Sequence, residues 1–145
     1  MLDKIVISEH QRFVDDRGTF NNYACPFVPK RVYTCYNHEK GIVRGFHYHK
    51  IEEKYFVCLR GAIKIAVAPL LLPGNLDLVK MKTVILSAET TNTLYVPAGY
   101  ANGWQTLQDD TLLLGMSSLT MEQSVNDDHR IDPLQASDIW KTKWR

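Results

Sequence analysis

The chain lacks the features that mark secreted, membrane-bound or nucleic-acid-binding proteins. Its 145 residues include only three cysteines, and no two of them are spaced as a C-x-x-C pair. No apolar run approaches the roughly 20 residues that a membrane-spanning helix needs, and the polar N-terminus does not resemble a signal peptide. The 17 Lys and Arg residues nearly balance the 16 Asp and Glu residues, so the net charge is only +1. We therefore expect a cytoplasmic protein that binds neither nucleic acid nor a membrane.

Helical periodicity is also weak, and a short helix before Trp140 is the best helical candidate. Short β-branched and aromatic runs separated by turn residues dominate instead. They predict strands at 4–7, 19–23, 32–37, 42–49, 54–59, 62–68, 81–86, 93–96, 103–107 and 111–117. Many short strands between turn signals indicate a sandwich or a barrel. The length predicts one domain over residues 1–145 with its own core.

Two further features concern burial. Cys35 and Cys58 lie inside apolar, strand-like runs, so we expect both to be buried free thiols. The polar tail that begins near Ser118 ends in Trp140 and Trp144. Tryptophans are mostly buried in folded proteins, so we expect this tail to dock onto the barrel or onto a partner subunit.

The most informative motif is His47-Tyr48-His49, which lies in a predicted strand. Alternate residues of a strand point to the same face, so His47 and His49 should share a face while Tyr48 points away. Two imidazoles on one wall of an all-β domain suggest either a metal site or a proton-transfer site.

The spacing of Gly41, His47, His49, Glu53 and Gly61 resembles the first motif of the cupin superfamily. The second cupin motif is matched by Pro97-Ala-Gly-Tyr-Ala-Asn102, with Asn102 at the place of the third histidine ligand. The resemblance implies a cupin jelly roll. It leaves His47, His49 and Glu53 as possible ligands of an open metal site, so a metal-binding cupin is one alternative.

A wider resemblance covers nearly the whole chain. Five blocks occur in the order typical of the dTDP-4-dehydrorhamnose 3,5-epimerase family, at 15–20, 43–48, 54–61, 94–104 and 130–133. The resemblance implies an all-β, cupin-type jelly roll (a double-stranded β-helix) that needs no cofactor or metal. It also implies a homodimer in which the N-terminal strands exchange between subunits. The implied substrate is a nucleotide-diphospho-4-keto-6-deoxy sugar, epimerised at C3 alone or at both C3 and C5, in surface-polysaccharide and deoxysugar biosynthesis.

The chemistry of that family explains why its site needs these residue types. The C4 ketone acidifies the neighbouring C–H bonds, a base removes one proton, and the negative charge moves to the ketone oxygen. A histidine held by a carboxylate suits the base, and a cation suits the enolate oxygen. By resemblance His47 is the base and Asp132 its orienting partner. Lys54 lies near the enolate, and Arg44 meets the diphosphate.

The resemblance also implies binding roles and shows one departure. His49 would shape the pocket, Asn102 replaces a second pocket histidine, and Arg17 would reach the pocket of the neighbouring subunit. Gly115 stands where the family has the tyrosine that returns the proton. In its absence water or another tyrosine, such as Tyr100, is a candidate for that role in a single epimerisation. A sugar-binding domain without catalysis is the other alternative.

A third resemblance is to the dTDP-sugar 3,4-ketoisomerases. It rests on the segment 44–50, Arg-Gly-Phe-His-Tyr-His-Lys, and on Lys30-Arg-Val-Tyr33 upstream. In that family two histidines move protons between C3 and C4, so His49 would be catalytic. That family also does not require the tyrosine missing at position 115. The 3,4-ketoisomerase reaction is therefore the alternative to epimerisation.

Overall fold

The computed structural model describes residues 4–141, which form two five-stranded antiparallel sheets, two short hairpins and short helices. The strands are β1 (Val6–Glu9), β2 (Gln11–Asp15), β3 (Gly18–Asn22), β4 (Arg31–Asn37), β5 (Val43–Tyr48), β6 (Lys54–Arg60), β7 (Ala62–Ala68), β8 (Leu70–Leu72), β9 (Asn75–Leu76), β10 (Lys82–Ser87), β11 (Asn92–Val96), β12 (Ala101–Thr106), β13 (Thr111–Ser117) and β14 (His129–Arg130). The α-helices are α1 (Met121–Val125) and α2 (Ser137–Trp140), and a 3₁₀ turn spans Pro133–Ala136. None of the helices in residues 4–141 is long and apolar enough to cross a membrane.

The first sheet has the strand order β1-β11-β6-β13-β4, and the second has the order β10-β7-β12-β5-β14. This architecture confirms the all-β prediction, and each predicted strand overlaps an observed one. The prediction missed β2, the β8–β9 hairpin, β14 and helix α1. The side chains of β2 are almost all exposed, so the strand carries no alternating pattern of burial that a sequence could reveal.

The main core fills the space between the two sheets. It consists of apolar side chains that alternate along the strands: Phe56, Cys58, Ile63, Ile65, Val67, Val84, Leu86, Leu94, Val96, Trp104 and Leu113. Cys58 is buried, as expected, whereas Cys35 is only half-buried and packs against the edge of this core. All three cysteines are free thiols.

The tail after β14 covers the outer face of the second sheet. Trp140 packs against Phe46, with 5.7 Å between ring centroids, and its indole N–H donates to the Pro133 carbonyl at 3.1 Å. The side chains of Lys64 and Gln105 donate to the backbone carbonyls of α2. Every residue of β7 is buried as a result, because the sheet is covered on both faces. Trp144 lies outside the described residues.

The close approach of β5 and β12 sets the position of the two histidines. A Cβ atom on Gly45 would lie 2.6 Å from the Cα of Gly103, and the φ angle of Gly45 is +120°. Both facts restrict this position to glycine. The resulting register pairs His47 with Asn102 across the two strands.

The carboxylate of Asp127 ties the loop after β5 to the segment after α1. It accepts hydrogen bonds from the backbone N–H groups of Lys50, Ile51 and Glu52 at 2.8–2.9 Å. The backbone carbonyl of Asp127 accepts a further hydrogen bond from the ring of His49 at 2.8 Å. Burial opposes ionisation of Asp127, but the three N–H donors outweigh it and lower the pKa of this carboxyl.

Asp127→Ala should lower the free energy of unfolding by about 3 kcal/mol, because it leaves three backbone donors without their charged acceptor. Urea unfolding at neutral pH measures this difference. The matched control is Asp138→Ala, which removes an exposed carboxylate paired with exposed Lys141 and should leave stability unchanged. Equal losses in the two variants would contradict the account.

The contribution of Asp127 to stability should also depend on pH. Its pKa is lower in the folded chain than in the unfolded chain. Its contribution is therefore complete above the ordinary aspartate range, near pH 4, and is lost as the pH falls through the folded-state pKa. The difference in stability between the native chain and Asp127→Ala should accordingly shrink when urea unfolding is repeated at acidic pH.

Candidate active site

A cavity of about 400 Å³ takes its walls from both sheets and from helix α1. Its polar lining includes Arg31, Tyr33, Arg44, His47, His49, Lys54, Asn102, Ser124 and Asp128. Its apolar lining includes Cys35, Phe56, Trp104 and Leu113. The cavity thus brings together the predicted residues Arg44, His47, His49, Lys54 and Asn102.

His47 is held by a carboxylate at one edge of the cavity. Its Nδ1 lies 2.8 Å from Oδ1 of Asp128. Burial opposes ionisation of Asp128, but the hydrogen bond and the positive charge that His47 can carry outweigh it and lower the pKa of the carboxyl. An ionised Asp128 can only accept, so Nδ1 of His47 carries a proton and Nε2 of the neutral ring is left with a lone pair. This arrangement suits a general base.

The structure corrects the predicted partner of His47. Asp132 is exposed and begins the 3₁₀ turn, where its Oδ1 accepts from the backbone N–H of Leu134 at 2.8 Å. Strand β14 pairs Arg130 with His47, which brings the residue just before β14 to the imidazole. The acidic pair Asp127-Asp128 was the available signal in the sequence, but nothing in it indicated the register of β14.

His49 is buried, and its ring is fixed by two acceptors. Nδ1 lies 2.8 Å from the carbonyl oxygen of Asp127 and 3.1 Å from Oε2 of Glu52, so Nδ1 carries the hydrogen. Burial and the nearby Lys54 lower the pKa of His49, which keeps the ring neutral. Its Nε2 is buried and has no hydrogen-bond partner within residues 4–141. It therefore offers an acceptor at the cavity.

Tyr33 is a site residue that the sequence-based assignment of roles missed. It lies on β4 directly opposite Gly115 of β13. A Cβ atom on Gly115 would lie 2.3 Å from Cζ of Tyr33 and 2.6 Å from its hydroxyl oxygen. The phenol therefore fills the space into which a side chain at position 115 would project. The only signal in the sequence was the Lys30–Tyr33 segment, which was assigned no chemistry.

Lys54 links this phenol to a buried carboxylate. Its Nζ donates to the hydroxyl of Tyr33 at 3.2 Å and lies 3.8 Å from Oε2 of Glu52. Burial raises the pKa of Tyr33 far above its ordinary value, so the phenol is protonated at neutral pH. Burial also lowers the pKa of Lys54, and Glu52 partly opposes that shift.

Arg44 and Asn102 complete the polar wall. The Nε of Arg44 donates to the side-chain oxygen of the buried Asn37 at 2.8 Å. Its guanidinium carbon lies 5.8 Å from the ring centre of Trp104, within the range of a cation–π contact. The amide nitrogen of Asn102 is buried, and no described residue accepts a hydrogen bond from it. Both side chains can therefore serve a polar ligand.

Besides Asp132, the structure places two further predicted residues away from the cavity. Tyr100 packs against the main core and lines a separate cleft with Ile5 and Val67, so within one chain it is not among the residues that line the cavity. Arg17 lies at the exposed tip of the β2–β3 hairpin, paired with Asp15. Within one chain it does not line the cavity.

The alternative of a three-ligand metal site is not supported by the geometry. Glu53 accepts a hydrogen bond from the hydroxyl of Tyr95 at 2.6 Å, and Tyr95 belongs to a separate apolar cluster with Tyr55 and Val57. The cavity lining includes both histidines and does not include Glu53. Within residues 4–141, no group of three or more His, Cys, Asp or Glu side chains is arranged to hold a metal ion.

Comparisons with known proteins find two kinds of similar enzyme. The dTDP-4-dehydrorhamnose 3,5-epimerase of Escherichia coli (strain K12) is 30% identical over an alignment of 126 residues, and the match covers 74% of this chain and 64% of that enzyme. The chain thus spans slightly less than two thirds of the length of this relative. A TDP-4-oxo-6-deoxy-alpha-D-glucose-3,4-oxoisomerase of Aneurinibacillus thermoaerophilus is 36% identical over 69 residues, 45% of this chain and 48% of that protein.

The fold is also shared with the solved structure of a dTDP-4-dehydrorhamnose 3,5-epimerase. The crystal structure of dTDP-4-dehydrorhamnose 3,5-epimerase from Bacillus anthracis str. Ames, with TDP and PPi bound, matches with a TM-score of 0.76 and 26% identity. The match covers 91% of this chain and 82% of that one. It confirms the predicted cupin jelly roll. The model of the dTDP-4-dehydrorhamnose 3,5-epimerase family matches residues 1–135, and the chain therefore belongs to that family.

Proposed function

We propose that the chain epimerises a nucleotide-diphospho-4-keto-6-deoxy sugar at C3, as a step of deoxysugar and surface-polysaccharide biosynthesis. The observation that carries the proposal is the placement of a proton acceptor and a proton donor on opposite sheets of one cavity. His47, held by Asp128, lies on the second sheet, and the protonated Tyr33 lies on the first. Family membership supports the substrate class.

In the first step, Nε2 of His47 takes the C3 proton. The electrons of the broken C–H bond form a C3–C4 double bond, and the carbonyl electrons move to the C4 oxygen. The resulting imidazolium is stabilised by the ionised Asp128 at 2.8 Å. The ammonium group of Lys54 stabilises the enolate oxygen in a largely desolvated site.

In the second step, Tyr33 returns a proton to the opposite face of C3, and the ketone re-forms. The phenol is suited to this because burial keeps it protonated and Lys54 can stabilise the phenolate that results. Loss of the C3 proton to one wall and its return from the other inverts the centre. Solvent then exchanges protons with His47 and Tyr33, and both groups return to their starting states.

The remaining cavity residues bind the substrate in this proposal. Arg44 meets the diphosphate, since a guanidinium is suited to paired phosphate oxygens. Asn102 and His49 offer a buried donor and a buried acceptor for the sugar. Proton transfer of this kind requires no cofactor, so none is proposed.

We further propose a homodimer. The β2–β3 hairpin pairs only with itself within residues 4–141 and exposes Phe13, Val14 and Phe20. An apolar surface of this kind is suited to docking against a second copy of the chain. Docking of the hairpin would carry Arg17 to the cavity of the partner subunit, in agreement with its predicted role.

A second candidate is the 3,4-ketoisomerase reaction, which is favoured by the sequence around Tyr33. Tyr33 belongs to the segment that resembles those enzymes, and a relative named as such a 3,4-oxoisomerase is 36% identical over 69 residues. That reaction shares the removal of the C3 proton. The C4 oxygen then takes up a proton and the C3 hydroxyl loses one, so that the C3–O bond becomes the ketone while the electrons of the C3–C4 double bond take a proton at C4.

Proton NMR of the protein with dTDP-4-keto-6-deoxyglucose in deuterated water tests the proposal. Epimerisation predicts loss of the C3 signal with retention of the C4 ketone, and loss of the C5 signal as well would show a second epimerised centre. A new C4 carbinol centre would establish the ketoisomerase instead. Binding of the nucleotide sugar with an unchanged spectrum would contradict both and leave a sugar-binding domain without catalysis.

Asp128→Asn should reduce the rate of C3 exchange by about 10²-fold or more, because an amide neither fixes the tautomer of His47 nor stabilises its charged form. The rate of deuterium incorporation at C3 measures the effect. Asp132→Asn is the matched control and should retain the native rate, since Asp132 only begins the 3₁₀ turn. The opposite ranking of the two variants would restore Asp132 as the partner.

Gly115→Ala should slow epimerisation by about 10-fold or more, because the added Cβ atom would overlap the ring of Tyr33 and displace the phenol from the cavity. Product formation followed by NMR measures the effect. In a Tyr33→Ala background the same substitution has nothing to displace and should cost no further activity. Equal effects of Gly115→Ala in both backgrounds would show that the glycine acts independently of Tyr33.

A further inference from the structure

The carboxylate of Glu52 lies in a fully buried position behind the cavity wall, outside the set of residues that line the cavity. It is surrounded by cations and hydrogen-bond donors. Its partners are Arg31 at 3.0 Å, His49 at 3.1 Å, Ser124 at 3.1 Å, Ser117, and Lys54 at 3.8 Å.

This arrangement has an electrostatic reason. An isolated charge in a protein interior is unfavourable by several kcal/mol, so buried charges occur with counterions and hydrogen bonds. Glu52 is the negative charge between Arg31 and Lys54, and two serine hydroxyls complete its hydrogen bonds. A neutral side chain of the same shape would leave both cations without this compensation.

The charge on Lys54 controls the direction of the Tyr33 proton. An ammonium group has only donors, so the hydroxyl oxygen of Tyr33 accepts from Nζ at 3.2 Å. The phenolic hydrogen then points away from Lys54 and is free for a ligand in the cavity. A neutral amine has a lone pair and can accept that hydrogen, which turns it away from the ligand.

We propose that Glu52 is a positioning residue that holds Lys54 as an ammonium ion and thereby directs the hydroxyl proton of Tyr33 into the cavity. The inference rests on the proposed role of Tyr33 as proton donor. Glu52 acts through Lys54 and makes no contact with the substrate.

The surroundings of Lys54 make its charge sensitive to Glu52. Burial lowers the pKa of Lys54, and Arg31 on β4 lowers it further. Glu52, from the loop before β6, and Asp128, from the segment before β14, oppose that shift. Tyr33 and His49 are neutral at neutral pH and add no charge. Removing the charge of Glu52 should therefore favour the neutral amine.

The test is the pH dependence of kcat/KM for Glu52→Gln. In the native chain kcat/KM should fall at alkaline pH as Lys54 loses its proton, and the pH at half of that fall is the alkaline midpoint. In Glu52→Gln this midpoint should move to lower pH by roughly one pH unit, because the nearest opposite charge is lost. Glu53→Gln is the matched control. The Glu53 carboxylate accepts a hydrogen bond from the hydroxyl of Tyr95, so this substitution should leave the alkaline midpoint unchanged. Lys54→Arg, which stays charged throughout the range, should remove this alkaline limb. An unmoved midpoint in a folded Glu52→Gln protein would overturn the proposal.

An NMR titration of the Lys54 side chain separates this inference from the proposed function. In the native chain the titration midpoint of Lys54 should coincide with the alkaline midpoint of kcat/KM, and a mismatch would overturn the proposal even if Glu52→Gln did not fold. If the native chain does not turn over the nucleotide sugar, the proposed function fails. The titration of Lys54 in Glu52→Gln then still shows whether Glu52 holds the charge.

Discussion

The site depends on the hydrogen bonds between the carboxylate of Asp127 and the loop that follows β5. Asp127 binds the backbone N–H groups of 50–52 and, through its own carbonyl, the ring of His49. This fixes the end of β5 against the segment that precedes β14. The next residue, Asp128, is thereby placed 2.8 Å from His47. The orientation of both histidines and the burial of Glu52 thus follow from the same set of hydrogen bonds to Asp127.

The two walls of the cavity carry different proton-transfer properties. On the second sheet, an ionised carboxylate leaves His47 with a free lone pair toward the cavity. On the first sheet, burial and Lys54 keep Tyr33 protonated and able to donate. The proposed inversion at an acidified carbon needs a base and an acid on opposite sides of that carbon. The fold allows this because the cavity takes one wall from each sheet, with His47 on the second sheet and Tyr33 on the first.

The sequence predicted the residues whose positions follow from strand periodicity and local motifs. Arg44, His47 and Lys54 line the cavity from β5 and β6, as the family motifs indicated. Arg44 and His47 are three residues apart on β5, and the irregular register between β5 and β12 lets both reach the same cavity. Asn102 was placed by the second cupin motif, and the register of β12 sets it opposite His47. The jelly roll itself followed from short strands, turn signals and these motifs.

The errors concern contacts between distant segments. Asp132 was assigned by resemblance, and nothing in the sequence specifies that the two-residue strand β14 pairs with β5 so as to bring Asp128 to His47. Gly115 was interpreted as loss of the acid, since a missing side chain gives no sign that Tyr33, on the neighbouring strand, occupies its space. Tyr100 was named as one candidate for the missing acid, but it lines a different cleft.

The central claim is that base and acid act from opposite faces, and Tyr33→Phe tests it most directly. In deuterated water this variant should still exchange the C3 proton of the 4-keto sugar, because His47 and Asp128 are intact. It should do so with retention of configuration, since the opposite wall no longer donates. One NMR experiment would thus show hydrogen exchange at C3 without inversion of configuration at C3. Inversion at the native rate in Tyr33→Phe would contradict the account.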